Sequence, residues 1–204
     1  MYRCYYSAMG IEDRRERERA ARRQLIVTTA RRLAEAEGWD AVTTRRLSTE
    51  IEYSQPVLYK HFAGMEQIAD AVALDGFAEL AEAIAAAHSD AAAARVTLTR
   101  IAAAYLDFAT TNQAVYDAMF TRATTLRFAA QDTPPQLSAA FAELRRAVAG
   151  VAGGQDADTL TEVFWAALHG LVTLGRTGRL RAGDDADRLQ LLVEQFTAER
   201  EPTR

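Results

Sequence analysis

An all-α fold is what this sequence predicts, and three observations predict it. Alanine is abundant while the 204 residues hold only four prolines; alanine loses no side-chain entropy on entering a helix, whereas proline removes an amide donor. Apolar residues recur at three- and four-residue spacing in segment after segment instead of alternating. Capping residues fall where helix ends are expected: Thr43, Ser54, Pro56 and Pro134-Pro135 at beginnings, and Gly38, Gly150 and Gly153-Gly154 at ends.

The chain is long enough for a small domain attached to a larger one. Its 49% hydrophobic and 25% charged residues place it among globular proteins. The one cysteine, Cys4, has no partner for an internal disulfide, which fits a reducing compartment, and we expect a cytoplasmic protein. Net charge is −4, unevenly spread. From Arg14 to Phe62 eleven basic residues face seven acidic ones, a net of +4, which leaves −8 for the rest. A basic N-terminal module on an acidic body suits an anionic partner met from one side.

Taken in order, residues 1–13 carry no apolar stripe and no long apolar run. They read as a flexible arm, neither signal peptide nor membrane anchor; Arg3 is a candidate DNA contact and Met9 a second candidate initiator. Arg14 to Glu37 reads as a first helix with Ile26, Ala30, Leu33 and Ala34 on one face and Gly38 as its stop; Glu18 and Arg22 form an i,i+4 pair in its mixed-charge opening, whose arginines are also within reach of phosphates. The pattern then predicts two short helices joined by a tight turn. Thr43 caps one from Thr44 to Ile51, Glu52-Tyr53-Ser54 turns, and Ser54 with Pro56 opens another from Gln55 to His61. Leu47, Ile51, Val57 and Leu58 anchor this pair inward. Gln55, Pro56, Tyr59, Lys60 and His61 are left outward or sideways: donors, an apolar wedge and the only lysine of the chain, a set suited to a major groove. Tyr59 and Phe62 also fit as core aromatics, Phe62 by its spacing from Leu58.

This stretch, TTRRLSTEIEYSQPVLYKHF from Thr43 to Phe62, resembles the helix-turn-helix of TetR-type (tetracycline-repressor-like) transcriptional regulators. The resemblance takes in the basic first helix, the Gly38-Trp39 turn, Thr43-Thr44-Arg45 and Leu58-Tyr59-Lys60-His61-Phe62, spanning about 17–73. It implies that Thr44, Ser54, Tyr59 and Lys60 hold phosphates, that Arg45, Gln55 and Pro56 face base edges, and that His61 sits at the backbone or braces the motif. One position departs from the pattern: Glu52 stands where the family's turn carries glycine for a left-handed backbone.

Beyond Ala63-Gly64 a ligand-binding and dimerisation domain is expected over 65–204, after a helix-turn-helix domain over 14–64. It opens with a long amphipathic helix from about Met65 to Ala87, which links the two modules. Further helices are predicted over about Ala91–Thr111 and Gln113–Phe120, from Pro135 past Val148, and over Asp156–Arg176 and Asp184–Ala198. Tyr105, Phe108, Tyr116, Met119, Phe120 and Phe128 form the richest aromatic cluster. Trp165-x-x-x-His169-Gly170 together with those aromatics resembles the effector domain of a TetR-type subgroup named for its Trp-His-Gly residues. With Phe141, the residues Tyr105, Phe108, Tyr116, Met119, Phe120, Trp165 and His169 are therefore candidates to line an effector site, although the aromatics and His169 also fit a packed core. The 156–176 helix is uncharged on two sides, and Leu160, Phe164 and Leu168 with Leu189, Leu192 and Phe196 of the last helix are the expected seam of a C2 homodimer.

No Cys-x-x-Cys, His-Glu-x-x-His, P-loop or Gly-x-Gly-x-x-Gly motif occurs, and His61, His88 and His169 stand apart on different predicted helices, so no metal or cofactor is expected. These readings converge on a ligand-responsive DNA-binding regulator, most simply a repressor released from a pseudo-palindromic operator by a small hydrophobic effector, with operator DNA, that effector and a second copy as partners. Two other readings fit the same residues: a DNA-binding protein with no effector, and a helical-bundle enzyme whose basic end takes an anionic substrate.

Overall fold

The computed structural model describes residues 2–89, 92–122, 126 and 133–198, with side chains from Glu12 onward. It is helical, with no strand among the described residues. Its α-helices are α1 (Tyr2–Glu37), α2 (Thr44–Glu50), α3 (Gln55–Tyr59), α4 (Met65–Ala87), α5 (Ala94–Thr111), α6 (Gln113–Phe120), α7 (Pro135–Ala149), α8 (Ala157–Arg176) and α9 (Asp185–Thr197), with a 3-10 turn at Trp39–Ala41. Helix α1 continues back to Tyr2, so the segment expected as a loose arm is helical. Adding a residue to an existing helix is far easier than nucleating one, and 2–13 contains no proline to stop it. Phe128 lies outside the described residues.

Two compact units divide the chain discontinuously. One comprises Met1–Ala73 with Ala114–Thr125; the other comprises Leu74–Gln113 with Leu126–Arg204. The boundary expected near residue 65 thus falls inside α4, and α6, expected in the body, belongs to the first unit. The first unit buries Ile26, Leu33, Leu47, Ile51, Leu58, Phe62, Ile68 and Val72, joined by Val115, Tyr116 and Met119 of α6. Gly38 stops α1 at φ 83, a conformation open to glycine and strained for side-chain-bearing residues. Two α6 amides find an unexpected partner: Glu35 accepts from Ala114 N and Val115 N, both at 3.0 Å, and the Trp39 indole donates to Ala114 O at 2.8 Å. A carboxylate at a helix N-terminus satisfies amides that have no intrahelical acceptor. Arg122 covers the Trp39 ring at 5.0 Å.

In the second unit α5 is the central element, touching α7, α8 and α9, while α7 also lies on α8. Leu98, Ile101, Tyr105 and Phe108 supply its buried stripe. Phe164 of α8 meets Phe196 of α9 edge-on at 4.9 Å, and Arg95 of α5 pairs with Glu194 of α9 at 2.8 Å. Asp156 caps α8, accepting from Thr159 N at 2.8 Å and Thr159 Oγ1 at 2.6 Å; these bonds hold its carboxyl below the usual aspartate value.

Candidate nucleic-acid interface and effector cavity

The α2–turn–α3 pair is built locally. Thr43 Oγ1 accepts from Arg46 N at 3.1 Å and caps α2 as expected. Arg46 is held by Glu37 at 3.0 Å and Glu50 at 3.2 Å, and Glu50 also takes Arg32 at 2.6 Å, a network that fastens α2 to α1. These arginines hold Glu50 below the usual glutamate value, Arg32 contributing most. The turn closes with Tyr53 N donating to Ser48 O at 3.0 Å. At its apex Glu52 adopts φ 56. The turn therefore keeps the left-handed geometry without the glycine, at a cost of about 1–2 kcal/mol for an L-residue. Ser54 precedes α3 in an extended conformation, yet its side chain makes no capping bond, contrary to expectation; its carbonyl accepts from Val57 N at 2.9 Å instead. Pro56 in the first turn leaves one fewer amide to satisfy.

This geometry sorts the predicted DNA-binding residues. Leu47, Ile51, Leu58 and Phe62 are buried, so Phe62 is core. Arg45, Ser54, Gln55, Pro56 and Lys60 are exposed, Thr44 is half-buried, and Tyr59 is 53% exposed, which excludes it from the core. His61 is half-buried, its Nδ1 lacks a hydrogen-bond partner, and burial first, then the charges of Arg19, Arg22, Arg23 and Lys60, push its pKa below 6.5. An amide, a ring, a phenol and an ammonium thus share the solvent face of α3 and its C-terminal end.

The candidate effector residues separate into two groups. Phe141, Trp165 and His169 come together around a cavity of about 860 Å³ between α7 and α8. Leu137, Ala142 and Ala166 extend its apolar wall, and Thr133, Ser138, Glu162 and the Arg145–Asp158 ion pair give it a polar side. Tyr105 is buried in α5 and its hydroxyl accepts from Trp165 Nε1 at 3.1 Å, orienting the indole. The rings of Trp165 and His169 stand 6.5 Å apart, and burial holds His169 below the usual histidine value. Phe108 is buried in α5 and absent from the lining. Tyr116, Met119 and Phe120 of α6 belong to the first unit, where the Tyr116 and Phe120 rings meet at a tilt of 55° with centroids 4.7 Å apart and Met119 is fully buried; the second unit's cavity does not include them. Leu137 and Ala142 were missed in the sequence because an apolar helix residue facing a hollow looks like one facing a core.

The expected dimer seam also needs correction. Leu160, Phe164, Leu168 and Phe196 are buried within the protomer, and Leu189 and Leu192 are half-buried. On α8 the outward apolar residues are Val163, 53% exposed, and Leu174, with Ala167 and Gly170 between them at three- and four-residue spacing; on α9 it is Leu191, 56% exposed. Neighbouring residues of an amphipathic helix point about 100° apart, so one position decides whether a side chain is core or surface.

Two family models match the chain: bacterial regulatory proteins of the tetR family over residues 26–72, and the tetracyclin repressor-like C-terminal domain over 98–196. The HTH-type transcriptional regulator Rv0681 of Mycobacterium tuberculosis is 30% identical over 173 residues, covering 81% of this chain and 73% of that protein. Among solved structures, a protein of unknown function from Rhodococcus sp. RHA1 superposes with a TM-score of 0.68 at 24% identity, covering 86% of this chain and 93% of its own. A TetR variant from Acinetobacter baumannii AYE, solved with minocycline, does so with a TM-score of 0.59 at 20% identity, covering 85% and 92%. With both halves matched by the family's models and a relative aligned through the helix-turn-helix, this chain belongs to the TetR family of bacterial transcriptional regulators.

Proposed function

We propose that this regulator is a cytoplasmic homodimeric repressor that leaves a pseudo-palindromic operator when a small, mainly apolar effector enters the cavity between α7 and α8. The observation that carries the DNA-binding part is the solvent face of α3, where Gln55, Pro56, Tyr59 and Lys60 stand out while Leu58 is buried. Arg45, Gln55 and Pro56 read base edges; Thr44, Ser54, Tyr59 and Lys60 hold phosphates, and His61 lies at the backbone beside them. The effector part is supported by the apolar wall of Phe141, Leu137 and Trp165 with His169 at its edge, which is the role the Trp-His-Gly residues imply. A second copy covers Val163, Leu174 and Leu191. No catalytic constellation is part of this reading.

The switch works by differential affinity: an effector shifts the dimer only if it binds one arrangement more tightly. Two copies of α3 must lie about 34 Å apart to enter successive major grooves, so a small change in their separation releases DNA. Operator and effector then antagonise one another reciprocally, with a coupling of about 1–3 kcal/mol. The test has two stages. A gel shift with DNA from the gene's own upstream region establishes operator binding, and thermal-shift screening of hydrophobic compounds supplies a ligand. Calorimetric titration of that ligand with and without operator follows, with weaker binding in the operator's presence expected. Equal affinities would remove the switch and leave a DNA-binding protein with no effector.

A further inference from the structure

The face of α1 that enters the core changes chemistry partway along the helix. At 3.6 residues per turn, Arg15, Arg19, Arg22 and Arg23 fall within an arc of about 100°, and Ile26, Ala30 and Leu33 continue that arc toward the C-terminus. From Ile26 to Leu33 the arc is buried and apolar; from Arg15 to Arg23 every position on it is arginine and exposed. Arg22 is paired with Glu18 at 3.8 Å, and Glu18 takes Arg14 at 3.0 Å. Among the described residues Arg15, Arg19 and Arg23 have no ion pair. Like charges at i,i+4 repel along a helix, and an anion lying against Arg15, Arg19 and Arg23 would relieve that repulsion.

The stripe runs into the end of α3. The Arg23 guanidinium lies over the Phe62 ring, 4.3 Å from its centroid. Lys60 and His61 precede that ring, and the charges of Arg19, Arg22 and Arg23 act on His61. Arg15 to Arg23 spans about 12 Å of helix, and a DNA strand places a phosphate about every 3.4 Å of its axis. That is room for about three or four successive phosphates. The stripe also precedes residue 26, where the match to the family's N-terminal model begins.

We propose that the arginine stripe of α1 is a second DNA-backbone surface, contiguous with Lys60, which carries operator contact past the bases that α3 reads. The inference rests on the DNA-binding reading above. Its test is the pair Arg15→Gln/Arg19→Gln in the full-length protein, with Arg17→Gln, on the opposite face, as the control, and circular dichroism to verify that α1 is retained. Fluorescence anisotropy on operator DNA is measured across a salt series. The pair is expected to lose about tenfold or more in affinity at ~50 mM salt, by the same factor on mutated and unrelated DNA. Its log–log salt dependence should be shallower by about 3.6, since each phosphate contact contributes about 0.9 and the dimer loses four of them. Arg17→Gln should stay within about twofold of wild type. The proposal is overturned if the pair loses less than threefold with an unchanged slope, or if Arg17→Gln loses as much as the pair. It is also overturned if the pair weakens binding to phosphatidylglycerol vesicles and not to DNA, which would make the stripe a membrane surface. Wild-type protein that binds no DNA would instead take down the DNA-binding reading itself.

Discussion

Replacing Glu35 with alanine should loosen α6 from the first unit, and the structure sets the size of the effect. One carboxylate accepts two backbone amides at 3.0 Å, and the residues that own those amides, Ala114 and Val115, are buried. A hydrogen bond to a charged group is worth about 1.5–3 kcal/mol, and an amide left without an acceptor costs about 1–3 kcal/mol. Glu35 itself is exposed, so its charge is screened and the low end applies, about 2 kcal/mol for the pair of bonds. At roughly 2–4 °C per kcal/mol for a chain of this size, melting should fall by about 4–8 °C. Trp39→Phe, which removes only the bond to Ala114 O, should cost about 1 kcal/mol. Because both residues hold the same peptide, the double variant should lose less than the sum of the singles. Thermal unfolding gives the totals, and hydrogen exchange at the Val115 amide reports the site directly. A melting point within 1 °C of wild type together with unchanged exchange at Val115 in Glu35→Ala would refute the reasoning.

Four further outcomes follow from the geometry. Gln55→Ala should alter preference across a panel of operator variants, each good base contact being worth about 1–3 kcal/mol, whereas Tyr59→Phe and Lys60→Ala should weaken all sequences alike; unchanged preference in Gln55→Ala would strip that residue of its reading role. Glu52→Gly should stabilise the protein by about 0.5–1 kcal/mol, because relief of the left-handed strain exceeds the entropy glycine adds to the unfolded chain; a lowered urea midpoint would show otherwise. Val163→Glu should yield a folded monomer in sedimentation, while Phe164→Glu, one residue on and fully buried, should unfold the second unit; a Val163→Glu dimer would move the interface elsewhere. His61 and His169 are both held below the ordinary histidine value, chiefly by burial. The unfolded chain therefore takes up protons first, and stability is full above pH 6.5 and falls below it. His61→Gln/His169→Gln should flatten melting temperature between about pH 7.5 and 5.5, and an unaltered slope would show that neither histidine contributes.

Helix positions were legible because caps and apolar spacing are local. Met65–Ala87 and Gln113–Phe120 fall where the pattern puts them, Thr43 caps α2, and α3 turns Gln55 and Lys60 outward as its spacing requires. The partner of a buried face is a different matter. The apolar stripe of α6 says that the helix is covered, but what assigns it to the first unit is a bond between Glu35 and an amide 80 residues away. An exposed glutamate in a mixed-charge helix gives no sign of that role. On α8 nearly every residue from Val163 to Leu171 is uncharged, so hydropathy alone left the inward and outward faces undivided; packing against Phe196 separates Phe164 from Val163. The cavity is less legible still, since Phe141 and Trp165 have the same spacing whether they meet atoms or a void. At Glu52 the reverse held: the residue type argued against the turn, and the surrounding hydrogen bonds imposed it.

The interrupted first unit bears on how this protein can be cut or recombined. Its two pieces, Met1–Ala73 and Ala114–Thr125, are separated in sequence by forty residues that belong to the other unit, so the polypeptide passes between units three times. A fragment ending at Ala73 would carry the whole helix-turn-helix yet expose the surface that Val115, Tyr116 and Met119 cover, and it would leave Glu35 and Trp39 without the peptide they hold. Grafting this DNA specificity onto a foreign sensor therefore requires three junctions, one in α4 and one at each end of the segment that replaces the host's own α6. A single junction in α4 would join the head to an α6 shaped for a different carboxylate and a different indole, and such a hybrid would fail in folding before its specificity could be read.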